Sequence, residues 1–144
     1  MDAFEAVSLP EPSATIGQRY FSITEANRAL VLVRRIVADI VREYRRLCTL
    51  KEAYQRYDEK GNIVLAEQTR QDYVSVFNRL STLRDELEEI GCELKDYETG
   101  LVDFPTRLGG REVLLCWKLG EESIEYWHEV DAGYEGRRRI VKDV

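Results

Sequence analysis

The amino-acid sequence predicts an α+β protein in which a long antiparallel helical hairpin is followed by a small antiparallel meander sheet. Apolar residues recur every three or four positions through two long segments, which is the spacing of helices that bury one face. After Gly91 the apolar period changes to two, which is typical of strands. Gly109 and Gly110 stand between two such strands and indicate a two-residue hairpin turn.

The first helix is predicted to begin near Ile23. Ser22 and Glu25 have the spacing of a capping box, and Phe21 is placed to act as a hydrophobic staple. The apolar positions of this helix follow heptad spacing at Ile23, Ala26, Leu30, Val33, Val37, Ile40, Tyr44, Leu47 and Tyr54. This stripe predicts a helix that packs against a partner along most of its length.

Residues 58–62 predict a turn, and a second helix follows it and ends at Gly91. Its stripe consists of Tyr73, Val76, Leu80, Leu83, Leu87 and Ile90. Each helix has roughly 30 residues and is therefore about 45 Å long. A small sheet cannot cover helices of that length. We therefore expect the hairpin to protrude or to pair with a second chain, and a homodimer is the predicted assembly.

We expect residues 1–20 to form a flexible tail and residues 21–144 a single domain, with the hairpin at 22–90 and the sheet at 92–140. The first residues lack the basic and apolar regions of a signal peptide, and no apolar run is long enough to cross a bilayer. The three cysteines, Cys48, Cys92 and Cys116, are far apart and form no CxxC pair. These features predict a cytoplasmic protein with reduced thiols and no membrane partner.

The formal net charge of −6 is unevenly distributed. Residues 28–56 hold eight bases and three acids, a charge of +5, whereas residues 58–103 hold five bases and twelve acids, a charge of −7. We expect the basic helix to lie against the acidic one, within the chain or between chains. A nucleic-acid surface on the first helix is the alternative, and the overall acidity disfavours it because neutralisation of phosphates drives such binding.

Four strands are predicted, at residues 92–97, 101–108, 111–119 and 124–130. The Gly109–Gly110 turn gives the cross-strand pairs Leu108–Arg111, Thr106–Val113, Phe104–Leu115 and Val102–Trp117. A loop at residues 120–123 would then give the pairs Leu119–Ile124, Lys118–Glu125, Trp117–Tyr126 and Leu115–His128. Because Pro105 cannot donate a ladder hydrogen bond, we expect the second strand to bulge or break there.

These registers define two faces of the sheet. The face expected to pack on the helices carries His128 beside Trp117 and Tyr126. The opposite face carries Trp127 at the centre of the charged residues Asp103, Arg107, Lys118, Glu125 and Glu129, together with Cys116. A tryptophan among charges is typical of an interaction surface.

Four segments, FSITEANRAL, GLVDFP, REVLLCWKLGE and YWHEVDAGYEGR, occur in this order within residues 21–140. In their order and spacing they resemble the uncharacterised prokaryotic family known as domain of unknown function 2203. The resemblance implies a small cytoplasmic bacterial protein with no agreed activity. It implies no catalytic role for any residue.

The candidate ligand or partner surface consists of Asp103, Arg107, Trp127, His128, Glu129 and Arg137. We interpret His128 as a packed residue that hydrogen-bonds a neighbour, with a general-acid or ligand role as the alternative. A site that joins His128 to Asp103 or Cys116 is disfavoured because the predicted register separates them. With one histidine in the chain, no metal site and no cofactor is predicted.

Residues 131–136 form a glycine-bearing loop before Arg137, and we interpret this region as a solvated turn, with an anion site as the alternative. No nucleophile or metal-protease motif is present, so the sequence leaves open whether the chain is an enzyme. The leading hypothesis is a non-enzymatic protein-interaction or assembly module with an unidentified protein partner. The alternative is a small-molecule or anion-binding protein, or an enzyme, with its site on the C-terminal sheet.

Overall fold

The architecture is α+β, as predicted, in a computed structural model that describes residues 19–141. Two antiparallel helices precede a five-stranded antiparallel sheet whose strands follow one another in chain order. The elements are α1 (Ile23–Glu59), α2 (Ile63–Ile90), β1 (Glu93–Asp96), β2 (Leu101–Leu108), β3 (Arg111–Lys118), β4 (Tyr126–His128), a 3-10 turn (Tyr134–Gly136) and β5 (Arg138–Arg139). Residues 1–18, which hold most of the predicted tail, lie outside the described range.

Local side-chain and glycine chemistry sets the ends of both helices. The Ser22 hydroxyl accepts from the backbone N–H of Glu25 at 3.0 Å, and the Glu25 carboxylate accepts from the N–H of Ser22 at 3.1 Å, so the predicted capping box is confirmed. Asn62 caps α2 by accepting from the N–H of Leu65 at 3.1 Å. Gly91 ends α2 in the left-handed conformation, as predicted, with a φ of 108°.

The two helices pack through their apolar stripes and not through their opposite charges. The buried stripe residues that α1 and α2 contribute to the core are Ala26, Leu30, Val33, Val37, Ile40, Leu47, Tyr73, Val76, Leu80, Leu83 and Leu87. Within residues 19–141 the ion pair that joins the helices runs from Arg79 of the acidic helix to Glu43 of the basic helix, at 3.5 Å. The expected complementarity of a basic and an acidic helix therefore does not hold the hairpin together. None of the described helices has the length and apolarity that crossing a lipid bilayer requires.

The register between β2 and β3 is the predicted one. Phe104 pairs with Leu115, and Val102 pairs with Trp117. All four side chains are buried against the helices in the core cluster. We call this side of the sheet the helix-facing side and the other side the outer side. Phe21, just before α1, packs edge-on against Phe104 with ring centroids 5.3 Å apart.

The expectation that β2 would bulge or break at Pro105 is wrong. Pro105 pairs with Leu114 in unbroken register. Its carbonyl accepts from the N–H of Phe21 at 2.7 Å. The backbone N–H and C=O of a strand residue point towards the same neighbour. The position where Pro105 lacks an N–H therefore faces Phe21, and no hydrogen bond to β3 is lost. A proline is tolerated there because β1 ends before it reaches this part of β2.

The predicted register between β3 and β4 is also wrong, by one residue. His128 pairs with Leu114, Trp127 with Leu115, and Tyr126 with Cys116. The connection is longer than predicted because the Glu121 carboxylate accepts the N–H of Lys118 at 2.8 Å and ends β3 there. A one-residue shift moves each side chain to the opposite face. His128 therefore lies on the outer side and Trp127 on the helix-facing side.

A fifth strand forms where the sequence indicated a solvated tail. Arg138 pairs with Trp127 and Arg139 pairs with Tyr126. The N–H of Ile140 continues the contact by donating to the carbonyl of Glu125 at 2.8 Å. β4 thus lies inside the sheet, between β3 and β5.

We expect Gly100→Ala to destabilise the fold more than the matched change Gly110→Ala, by about 1–3 kcal/mol. Both glycines have positive φ, of 74° and 77°. A Cβ at Gly100 would lie 2.8 Å from Cγ1 of Val37 and 2.9 Å from Cβ of Leu119, whereas at Gly110 it would meet nothing within 4 Å. Backbone strain is therefore shared by the two variants, and overpacking is specific to the first. Urea denaturation measures the difference, and equal losses for the two variants would contradict this account.

Candidate functional site

A buried polar cluster lies on the outer side of the sheet, where β2, β3 and β4 run side by side. It consists of Asp103, Cys116 and His128, and we call it the His128 cluster. Asp103 and His128 are each 2% exposed, and Cys116 is fully buried. One possible ligand atom from each residue lies within 4.8 Å of the other two. Uncompensated burial of such groups is costly, so their mutual contacts decide whether the sheet can contain them.

Strand pairing alone brings these three residues together. Asp103 of β2 stands directly opposite Cys116 of β3. Leu114, two residues before Cys116 and thus on the same face, stands opposite His128 of β4. The predicted separation of His128 from Asp103 and Cys116 is therefore wrong, and the cause is the shifted β4 register.

Both ring nitrogens of His128 have partners. Nδ1 lies 2.7 Å from the carbonyl oxygen of Glu129, and since a carbonyl only accepts, Nδ1 carries a hydrogen. Nε2 lies 3.0 Å from Oδ1 of Asp103. The hydrogen bond to Asp103 raises the pKa of His128, although burial opposes this. The expectation that His128 hydrogen-bonds a neighbour agrees with this geometry, but its expected position on the same face as Trp117 is wrong.

Cys116 is held as a neutral thiol. Burial, followed by the charge of Asp103 and the hydrogen bond to it, raises the pKa of the Cys116 thiol to about 12. A thiol with so high a pKa is a poor nucleophile at neutral pH. Asp103 is therefore the shared acceptor between Cys116 on one strand and His128 on another.

Glu93 extends the cluster onto β1. It stands opposite Asp103 in the β1–β2 register, so the two side chains share the outer side. Glu93 is 3% exposed. One carboxylate oxygen accepts from Nζ of Lys95 at 2.7 Å. The other, Oε2, is buried without a hydrogen-bond partner in the part of the chain that the structure describes.

Arg137 lies at the edge of this region and joins three segments of the chain. Its guanidinium donates to both carboxylate oxygens of Glu121, at 2.9 and 2.6 Å, and to the carbonyl of Cys116 at 3.1 Å. It also lies over the rings of Tyr126 and Tyr134, 4.1 and 4.8 Å from their centroids. All of these partners belong to the protein, so Arg137 holds the glycine-bearing loop against β3.

Trp127 lies on the helix-facing side, half-buried, next to the core cluster. The predicted placement on the charged outer face is therefore wrong. Arginines still surround its ring: the guanidinium carbon of Arg138 lies 5.3 Å from a ring centroid of Trp127, and that of Arg111 lies 6.0 Å away. These distances allow cation–π attraction.

Trp127 lines an open groove of about 1460 Å³ between the start of α1 and the strands, which we call the Trp127 groove. The apolar residues that line it include Ile23, Val31, Leu108, Ile124, Trp127, Ile140 and Val141, and the charged ones are Arg28, Arg139 and Glu125. Val31 is 68% exposed, so part of its apolar wall is in contact with water.

The other two predicted surface residues lie at the exposed end of the sheet. The guanidinium of Arg107 lies 4.3 Å from the ring centroid of Tyr20 and 3.7 Å from the carboxylate of Glu112. Glu129 pairs with Arg111 at 2.8 Å. Of the six predicted residues, the structure brings Asp103 and His128 together. Glu129 contacts His128 through its backbone carbonyl, and Arg137 contacts the backbone carbonyl of Cys116. Trp127 and Arg107 lie away from this cluster.

Sequence reasoning left three residues of this region out of the candidate surface, namely Glu93, Cys116 and Glu121. The correctly predicted β2–β3 register already places Cys116 opposite Asp103, and only the wrong β4 register separated it from His128. Glu93 depends on the short β1 strand and Glu121 on a loop conformation, and neither leaves a periodic pattern.

The His128 cluster is closed, so its chemistry is that of a buried site. It can hold a proton between Asp103 and His128, and its oxygen, sulfur and nitrogen atoms are of the types that bind transition metals. A substrate would reach it only if the residues that bury the cluster moved. The Trp127 groove, by contrast, is open and apolar.

Comparison with known proteins identifies a family but no function. The family model described as an uncharacterized conserved protein, DUF2203, matches residues 19–140. This agrees with the resemblance carried by the four sequence segments. No curated protein and no solved structure is detectably similar to the chain.

We expect Asp103→Ala and His128→Ala each to lower the free energy of unfolding by about 3–5 kcal/mol, because each leaves a buried partner unpaired. The double variant should lose less than the sum, with a coupling energy of about 0.5–3 kcal/mol. Urea denaturation of the four proteins measures this coupling. A control cycle of His128→Ala with Cys92→Ala should be additive, and additivity for Asp103 and His128 would show that their contact does not stabilise the fold.

Proposed function

The chain belongs to the DUF2203 family of uncharacterised conserved proteins, and we propose that it is a non-enzymatic protein-interaction module that binds its partner in the Trp127 groove. The observation that carries this proposal is an open apolar groove with arginines at its border. Exposed apolar surface bordered by polar groups marks interaction sites. Trp127 supplies the kind of anchor that dominates binding energy in protein interfaces.

The size of the groove supports a polypeptide partner over a small molecule. Its volume of about 1460 Å³ exceeds the roughly 300–1000 Å³ of small-molecule sites. Such sites also enclose most of their ligand. An open groove with an apolar floor is the geometry used for amphipathic peptide segments.

The charge around the groove supports an acidic partner. Arg111 and Arg139 are paired with Glu129 and Glu125, at 2.8 and 3.6 Å. Arg28, which lines the groove, and Arg138, which lies over the Trp127 ring, have no carboxylate oxygen within 4.0 Å among residues 19–141, although the charge of Arg28 acts on Glu25. The chain as a whole carries a charge of −6, so unpaired arginines beside an apolar wall are a local exception. The proposed occupant is therefore an acidic segment of a partner protein that also carries apolar side chains.

The buried state of the His128 cluster supports a binding role over the enzymatic alternative. An enzyme site on the outer side of the sheet would use residues that are at most 2% exposed. Its sulfur would be a thiol whose pKa burial raises to about 12. Catalytic cysteines, in contrast, lie in partly exposed and electropositive surroundings that lower the pKa.

We also propose that the chain forms a homodimer, through the tip of its helical hairpin. The heptad stripe itself gives little support, because its central residues Val37 and Leu80 are fully buried within one chain. At the tip, however, Ile63 is 81% exposed and the adjacent Val64 is 76% exposed. Two adjacent exposed aliphatic residues at the end of a projecting hairpin are suited to contact with a second copy.

A cytoplasmic location in a bacterial cell forms part of this proposal. Cys48, Cys92 and Cys116 are all unpaired in the structure. Free buried thiols persist most readily in a reducing compartment.

Peptides selected from a random display library on the immobilised protein should be rich in acidic and apolar residues. The double variant Arg28→Glu/Arg138→Glu should weaken binding of a selected peptide by at least about tenfold, because it reverses the charge at the groove. Fluorescence polarisation at fixed ionic strength measures the affinity.

The matched control is Arg45→Glu/Arg46→Glu, which makes the same charge change at two exposed positions of α1. Both lie more than ten residues beyond Val31, the last residue of α1 that lines the groove. It should leave the affinity within about twofold. Equal losses in both variants, or selected peptides without acidic residues, would contradict the proposed partner chemistry.

Light scattering after gel filtration at micromolar concentration should give twice the chain mass of 16.8 kDa. Ile63→Glu/Val64→Glu should give a monomer with an unchanged or higher melting temperature, because acidic residues are favourable in the first turn of a helix. Gln68→Glu/Ser75→Glu adds the same charge elsewhere on α2 and should remain dimeric. A wild-type protein that is monomeric at these concentrations would refute the dimer.

A further inference from the structure

We propose that the His128 cluster, together with Glu93, is a binding site for one divalent transition-metal ion of the Zn²⁺ class. The proposal starts from three different donor atoms, one each from β2, β3 and β4. The carboxylate of Asp103, the sulfur of Cys116 and the imidazole of His128 lie within 4.8 Å of one another. Ligands of a tetrahedral zinc ion lie roughly 3.5 Å apart, given bonds of about 2.1 Å to nitrogen and oxygen and about 2.3 Å to sulfur. Side-chain rotations that move each donor atom by about one ångström or less would close that difference.

The orientation of His128 is the one that a metal ligand needs. Its Nδ1 hydrogen donates to the carbonyl of Glu129 at 2.7 Å, which leaves Nε2 directed at the other donors. Metal-binding histidines are commonly fixed in this way by a hydrogen bond from the second ring nitrogen. The Glu129 carbonyl thus selects the nitrogen that faces the cluster.

Glu93 supplies an independent reason to place a cation here. Its Oε2 is buried and has no hydrogen-bond partner among residues 19–141. Residues directly opposite each other on paired strands have Cβ atoms about 5 Å apart, so the Glu93 carboxylate is within reach of the ligands around Asp103. An unpaired carboxylate oxygen in a closed site is costly unless a positive charge meets it. Glu93 is not among the residues whose donor atoms lie within 4.8 Å of one another, so its side chain would have to rotate to provide the fourth ligand.

The charges balance when the metal is bound. On binding, two protons leave to solvent, one from the Cys116 thiol and one from between Nε2 of His128 and Oδ1 of Asp103. The sulfur then forms its bond to the metal as a thiolate, and Nε2 forms its bond through the freed lone pair. Asp103, Glu93 and the Cys116 thiolate then carry three negative charges. The divalent ion and Lys95, whose Nζ lies 2.7 Å from Glu93, carry three positive charges. His128 binds as the neutral imidazole.

The donor set favours zinc over harder cations. Calcium and magnesium prefer sites made of oxygen ligands, whereas sulfur and imidazole nitrogen suit zinc and its neighbours. Four protein ligands in a closed pocket are typical of structural zinc sites and leave no position for a substrate. Such an ion would join the three-residue strand β4 to β1, β2 and β3.

The test uses the full-length untagged chain, purified with a chelator and then titrated with Co²⁺, a spectroscopic substitute for Zn²⁺. We expect one equivalent to bind, with a thiolate-to-cobalt charge-transfer band and the visible bands of tetrahedral cobalt. Zn²⁺ should displace the cobalt and raise the melting temperature. Failure to bind a stoichiometric equivalent would overturn the proposal and leave the cluster as a hydrogen-bonded core.

Cys116→Ser should abolish the charge-transfer band and lower the metal affinity by more than the roughly 10- to 100-fold that loss of an outer-shell partner causes. Cys92→Ser is the matched control, since Cys92 is also a free buried cysteine and should keep both band and affinity. Equal binding by the wild type and Cys116→Ser would overturn the site.

X-ray absorption at the zinc edge gives a second measurement that depends on no variant. We expect one sulfur and three nitrogen or oxygen atoms around the ion in the wild-type protein. A shell with no sulfur, or with two, would overturn the assignment even if Cys116→Ser fails to fold.

Discussion

The indole N–H of Trp117 donates to the carbonyl of Glu121 at 2.9 Å, and the two faces of the sheet depend on this contact and its neighbours. Trp117 is fully buried, so its N–H needs a partner inside the protein. The bond holds the loop after β3 against the sheet, while the Glu121 carboxylate accepts the N–H of Lys118 and ends the strand. Arg137 then pairs with the same carboxylate and fixes the C-terminal loop. Where β4 joins β3, and thus which side chains lie on each face, follows from this arrangement.

The two faces carry opposite kinds of surface. On the outer side, four polar or charged residues, one from each of the strands β1 to β4, are enclosed, and their polar atoms have partners within the protein apart from one oxygen of Glu93. On the helix-facing side, beyond the start of α1, apolar side chains remain open around Trp127. Adjacent residues of β4 point to opposite faces, so Trp127 lines the Trp127 groove while the next residue, His128, belongs to the His128 cluster. A strand of three residues thus serves both regions, and its position in the sheet determines the chemistry of each.

Much of the fold could be predicted because local patterns determine it. The capping box at Ser22, the glycine after α2 and the Gly109–Gly110 turn each act within a few residues, and β2 pairs with β3 as their alternation requires. The β4 register could not be predicted in the same way, since a side chain bonding to a loop carbonyl leaves no periodic trace. That one-residue error places Trp127 and His128 on the wrong faces of the sheet, so the predicted outer face contains Trp127 where the structure has His128. The groove was also beyond sequence reasoning, because its walls come from α1, the β2–β3 turn and the C-terminal strand.

The contact between Phe21 and Pro105 has a consequence for solubility. Exposed strand edges invite foreign strands to add to a sheet and so start aggregation. On one edge of this sheet, the proline offers no donor beyond the end of β1, and the N–H of Phe21 already occupies its carbonyl. On the other edge, β5 is only two residues long and both are exposed arginines. An incoming strand would find the backbone hydrogen-bonding groups already blocked at the first edge, and only two residues with which to pair at the second.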